Sequence, residues 1–184
     1  MKRVALIVAS VVLVAAAGYH FLGGATTVSP QLQPSKSTAT IGEGSEAIGV
    51  SAEGAIISWL PLPEDAALPR LPLTEIPKGG RLAGPALQQA RVLGATPPVL
   101  LPCIGGSYYG ESGVDVELRS GIELRFGDAS RAAEKWRAAA TVLANPSINS
   151  LDYVDLHFPN RPAIEEGGTL LPPPSEAPGG GCAA

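Results

Sequence analysis

The chain has 184 residues, a formal charge of −4, 22 glycines, 18 prolines, two histidines and two cysteines. Lysines and arginines scattered over a mildly acidic chain argue against a nucleic-acid partner, which needs a basic stripe. The two cysteines, Cys103 and Cys182, cannot build a disulfide framework, although a single bridge between them is open to an exported protein.

At the N-terminus, Lys2 and Arg3 precede an apolar run from Val4 to Leu22. About 20 apolar residues span a bilayer, and flanking basic residues stay on the cytoplasmic side. The expectation is a cytoplasmic N-terminus over residues 1–3, a single transmembrane helix over 4–22 and everything after it outside the cell. The rival is a cleaved signal peptide ending at Ala15-Ala16-Ala17, a small-residue cleavage pattern. Export follows from either. Residues 23–46 are rich in Ser, Thr, Gly and Pro and read as a flexible linker.

The folded domain is expected over residues 47–166. In "AIGVSAEGAIISW" the loop Ala52-Glu53-Gly54 pairs Val50 with Ile56 in a hairpin. "LPLPEDAALPRLPLTEIPKGG" carries too many prolines for a helix or central strand and reads as an extended connection. "GPALQQARVLGA" is a short helix, with Pro85 in its first turn and Gly94 just past its end. "PPVLLPC" to "YYGESG" holds one strand at most and then a glycine-rich connection.

"VDVELRSGIELRFGD" is the clearest element. Apolar and charged residues alternate on both sides of Arg119-Ser120-Gly121, as in half-buried strands. Paired residues point to one side of a sheet, so a three-residue loop fits. It pairs Leu118 with Ile122, Val116 with Leu124 and Val114 with Phe126, with left-handed backbone at Gly121. Asp115 then meets Arg125 and Glu117 faces Glu123 on the wet side. Asp128 or Ser130 is placed to cap a helix whose apolar face holds Ala132, Trp136, Ala139, Ala140 and Leu143. Trp136 reads as core and Lys135 as a solvated helix residue or as one that supports an interface; Asn145-Pro146 ends the run. "LDYVDLHFP" is the last strand, with Val154, Leu156 and Phe158 on one face and Asp155 and His157 on the other. Residues 167–184 read as a disordered tail. The class is therefore α+β: a curved antiparallel sheet of hairpins with one or two packed helices, preceded by a single transmembrane helix.

No constellation for catalysis emerges. His20 belongs to the hydrophobic N-terminus, so a Ser-His-Asp site would rest on His157, with Asp155 two residues away. "GGSYYGESG" has neither the Gly-x-Ser-x-Gly elbow nor the Gly-Lys-Ser/Thr phosphate cradle. An exported hydrolase would need a nucleophile such as Ser107 beside a base. The expectation is a non-enzymatic protein with no cofactor, no metal and no small-molecule substrate.

"LRSGIELRFGDASRAAEKWRAAATVL" followed by "YVDLHFPNRPAI" resembles the β domain of the bacterial cell-division family FtsQ/DivIB. The motif residues are Gly121 and Gly127 in the hairpin, Lys135 with Trp136 in the helix, and Val154-Asp155-Leu156 before Pro159. Upstream, "GVSAEGAIISWLPLP" is similar to the family's first hairpin, with Gly54 in the loop and Ser51 where aspartate is common. The likeness runs from Ile48 to Glu165. The family places a POTRA domain between anchor and β domain, whereas only Gly23 to Ala47 is available here, too short for that fold. The resemblance implies a scaffold of the divisome, held in the cell membrane by its anchor and sited at the septum. Its partners would be FtsB- and FtsL-like coiled-coil proteins, bound by strand addition beside the last strand. It assigns the partner site to Tyr153, Asp155, His157, Phe158, Pro159, Asn160 and Arg161. The alternative is an exported envelope protein with a cleaved signal peptide, whose β domain binds another ligand.

Overall fold

The structure, a computed structural model, describes residues 36–59, 62, 68–73 and 75–170. The expected transmembrane helix, most of the linker, the end of the tail and Cys182 lie outside the described residues. Among the described residues no helix is long and apolar enough to cross a membrane.

The chain first forms a three-stranded antiparallel sheet: β1 (Ser37–Ile41), β2 (Ile48–Ser51) and β3 (Ile56–Ile57). The expected hairpin is present, with Val50 opposite Ile56. The buried Ser51 hydroxyl accepts the Ala55 N–H at 3.2 Å and closes the loop ahead of Gly54. β1 occupies residues read as linker. It pairs with β2, and on its other side Thr40 exchanges backbone hydrogen bonds with Pro69 and Leu71 of the proline-rich connection.

Helix α1 (Gly84–Gly94) follows, with proline in its first turn as expected. A five-stranded sheet then runs β4 (Ile104–Gly110), β5 (Gly113–Leu118), β6 (Glu123–Gly127), β7 (Ser150–Asp155) and β8 (Ala163–Leu170), in that spatial order. Helix α2 (Ala132–Leu143) joins β6 to β7. The glycine-rich "GGSYYG" is thus strand, not connection, because its backbone pairs with β5 along its length. The β5–β6 turn is the predicted three-residue loop: Leu118 N–H bonds to Ile122 at 2.9 Å and Gly121 sits at φ +90°. Val116 faces Leu124, Asp115 faces Arg125 and Glu117 faces Glu123, as read. Val114 instead faces Gly127, since a bulge inserts Phe126 as an extra residue, with Gly127 at φ +67°.

The sheet is mixed rather than antiparallel throughout. A helix between neighbouring strands returns the chain to its starting end, so β7 runs parallel to β6. The last strand also needs correction. The strand expected over Leu151–Phe158 ends at Asp155 and is no edge, because β6 pairs on one side and β8 on the other. A turn closed by Arg161 N–H to Phe158 carbonyl, 2.9 Å, reverses the chain into β8. β8 extends to Leu170, inside the segment read as tail.

One core joins these elements. Val114, Val116, Leu124, Phe126, Leu151, Val154 and Leu156 are buried together with Ala90, Val92 and Leu93 of α1 and Trp136, Ala139 and Val142 of α2. Polar tethers fix α1 in place. The buried Ser107 hydroxyl donates to Gln89 at 3.0 Å, and Ala129 N–H donates to Gln88 at 2.8 Å. Lys135 is not solvated: it is 1% exposed beside Trp136. Neither Asp128 nor Ser130 caps α2, whose N-cap is Arg131 in the left-handed region, φ 51°. Cys103 is buried and disulfide-bonded.

Candidate functional site

The structure divides the predicted partner residues into two groups. Tyr153, Asp155 and His157 belong to the face of the sheet away from the apolar core. Alternation places Asp115 of β5, Glu123 and Arg125 of β6, and Tyr153 and Asp155 of β7 on that face. A chain of contacts crosses it. Tyr108 bonds to Glu123, Glu123 accepts Arg125 Nε at 2.6 Å, and the Arg125 guanidinium lies 3.6 Å above the Tyr153 ring. The Tyr153 hydroxyl in turn bonds to Glu165 of β8. Burial, then the hydrogen bond to Glu123, pushes the Tyr108 hydroxyl up to about 12. Tyr153 is therefore engaged within the sheet by both its ring and its hydroxyl.

His157 closes this face. Its Nδ1 lies 2.7 Å from Asp155 Oδ1 and its Nε2 3.3 Å from the Ser112 carbonyl. Both ring nitrogens thus face acceptors. The ring also covers Gly127, where a Cβ would come within 2.5 Å of it. Glycine is required there by space as well as by backbone. Burial works to raise the Asp155 pKa, but hydrogen bonds from the His157 backbone and ring hold it below the ordinary carboxylate value. Ser107 does not meet His157: its partner is Gln89 of α1, opposite Val116 on the core side.

Asp115 is 6% exposed and its Oδ1 lacks a hydrogen-bond partner. Burial, followed by the charge of Glu123, raises its pKa. A carboxyl that holds its proton more tightly when folded stabilises fully below the unfolded-state value of about 3.9 and loses that contribution as pH rises through the folded one. Asp115→Asn is therefore expected to stabilise the protein by about 1 kcal/mol at pH 7. The gain should vanish below about pH 4, where both side chains are neutral. Urea unfolding at the two pH values checks this; no difference between wild type and variant at pH 7 would refute it.

The second group surrounds a cleft. Phe158, Pro159, Asn160 and Arg161, with Arg131, line a cleft of about 510 Å³. It lies where β6 and β7 finish and β8 begins. Phe158 is 72% exposed, so it is no part of the core. Arg131 enters from the N-terminus of α2 and had no sequence signature. β8 itself was also missed. Its Ile164 lies opposite Val154 and is 37% exposed, while Glu165 and Glu166 are exposed beside it. Gly167 and Gly168 then take positive φ at a bulge against Asp152. The pair of carboxylates and the two glycines hid the strand.

No family model and no curated protein matches this chain.

Proposed function

We propose that the chain is a non-enzymatic scaffold of bacterial cell division, of FtsQ type. It is held in the cell membrane through residues 4–22, with its N-terminus in the cytoplasm, and acts at the septum by binding FtsB/FtsL-like proteins outside the membrane. The observation that carries the reading is that, among the described residues, β8 pairs on one side only, next to an exposed phenylalanine. An edge strand presents alternate N–H and C=O groups to a partner strand, and a large aromatic beside it supplies an anchor. Two further features support the proposal. The order of meander, helix, parallel strand and return strand accommodates every motif of the resemblance. A disulfide at Cys103 agrees with a domain outside the cytoplasm.

Calorimetric titration of the full chain in detergent with the FtsB-like protein of the same genome tests this. Binding is expected, and Phe158→Asp should weaken it by about 2 kcal/mol or more, roughly 30-fold, with the fold unchanged by circular dichroism. A correctly folded chain that does not bind would sink the proposal.

A further inference from the structure

The exposed edge that begins at the cleft is charged unevenly along its length. At its start, two of the five cleft-lining residues are arginines and none is acidic. Arg131 pairs with Glu134 only at 3.9 Å, beyond hydrogen-bond reach. Farther along lie Glu165 and Glu166, both exposed. Glu165 takes the Tyr153 hydroxyl, but a carboxylate accepts several hydrogen bonds and keeps its charge. Between the two charged ends, Ile164 faces the core side, half-exposed above Val154. The usable ladder is short, because Gly167 and Gly168 distort the backbone just beyond Glu166. From Ala163 to Glu166 it spans about 10 Å.

So short a ladder gives little affinity and poor register by backbone pairing alone. Charge is then what selects the partner and fixes its position. We propose that the segment accepted at β8 is a short strand of opposed charge polarity. It carries a carboxylate at the Arg131–Arg161 cleft, an apolar side chain over Ile164, and a lysine or arginine beside Glu165 and Glu166. The acid and the base lie about four residues apart in that strand. This rests on the reading of β8 as the partner edge, and it specifies the chemistry of what that edge takes.

The test uses three short synthetic peptides of the same apolar alternation, with the charged positions mixed, both acidic or both basic. Each is titrated by fluorescence anisotropy against the full chain in detergent micelles, beside the FtsB-like protein. Including both uniform peptides removes any dependence on strand direction, since a mixed peptide fits in one direction or the other. The mixed peptide is expected to bind about fivefold more tightly than either uniform one. The paired change Glu165→Lys with Glu166→Lys should transfer the preference to the doubly acidic peptide. Tightest binding by the doubly basic peptide, as net charge alone dictates, overturns the proposal, and so does equal binding of all three. If the mixed peptide is preferred but the FtsB-like protein does not bind, the divisome reading falls while the edge chemistry stands. If the protein binds but the peptides are not discriminated, the reverse holds. A folded chain that binds neither refutes both.

Discussion

Trp136→Ala is expected to lower the stability of the protein by about 4 kcal/mol, a large share of the 5–15 kcal/mol that holds a typical domain together. The side chain is fully buried, and its ring stands 4.8 Å from that of Phe126 at 53°. Alanine removes both the apolar surface and this tilted aromatic contact, which the packed surroundings cannot refill. The indole also does something no aliphatic residue can. Its Nε1–H donates to the Val92 carbonyl at 2.8 Å, tying α2 to the last turn of α1. Trp136→Phe isolates that bond: it keeps much of the volume and should cost about 1–2 kcal/mol for the lost hydrogen bond and residual space. Urea unfolding followed by circular dichroism separates the two variants. If both lose the same amount, the ring contact with Phe126 is not what matters. Trp136→Phe should leave partner binding intact, because Trp136 does not line the cleft.

What the sequence disclosed and what it hid follow from how each strand is surrounded. β5 and β6 have neighbours on both edges and one wet face, so their side chains must alternate, and the alternation with Gly121 gave both facing and loop length. Among the described residues β4 and β8 each pair on one side only, and tolerate glycines and adjacent carboxylates that erase any period of two. β1 is short and was masked by its Ser- and Thr-rich context. The bulge at Phe126 and Gly127 escaped because a glycine ending an alternating run reads as a stop, whereas here it admits the His157 ring. The parallel β6–β7 pair follows from the helix between them and could have been deduced. Of the site, the run Phe158–Arg161 was legible through the motif before it. Arg131 was not: only its placement at the start of α2, with left-handed backbone, brings it to the cleft.

Lys135 shows how a charged residue can be nearly as buried as the tryptophan beside it, and its replacement should have the second-largest effect. It falls on the same helical face as Ala132, Trp136, Ala139 and Val142, all buried, and its stem packs where an aliphatic chain would. The ammonium donates to the Phe126 carbonyl at 2.7 Å, the Asp128 carbonyl at 2.9 Å and Asp128 Oδ1 at 2.9 Å. Three donors meet three acceptors, so nothing in the group is left over. Hydrogen bonds from Ser130, then from Lys135, hold the Asp128 carboxyl down to about 2. The stability linked to that carboxylate is therefore present above the unfolded-state value of about 3.9 and is lost as pH falls toward 2. Asp128 is 62% exposed, however, so solvent screens the ion pair, and Asp128→Asn should cost less than about 1 kcal/mol. Lys135→Ala should cost about 3 kcal/mol, because it leaves the buried Phe126 carbonyl without a donor and opens a cavity under α2. Equal losses from the two changes in urea unfolding at pH 7 would show that the ion pair, not the carbonyls, is what the lysine serves. The same bonds draw the first turn of α2 against the end of β6 and so seat Arg131 at its N-cap. Lys135→Met, which keeps the volume without the donors, should accordingly weaken binding of the acidic end of a partner strand more than that of its basic end.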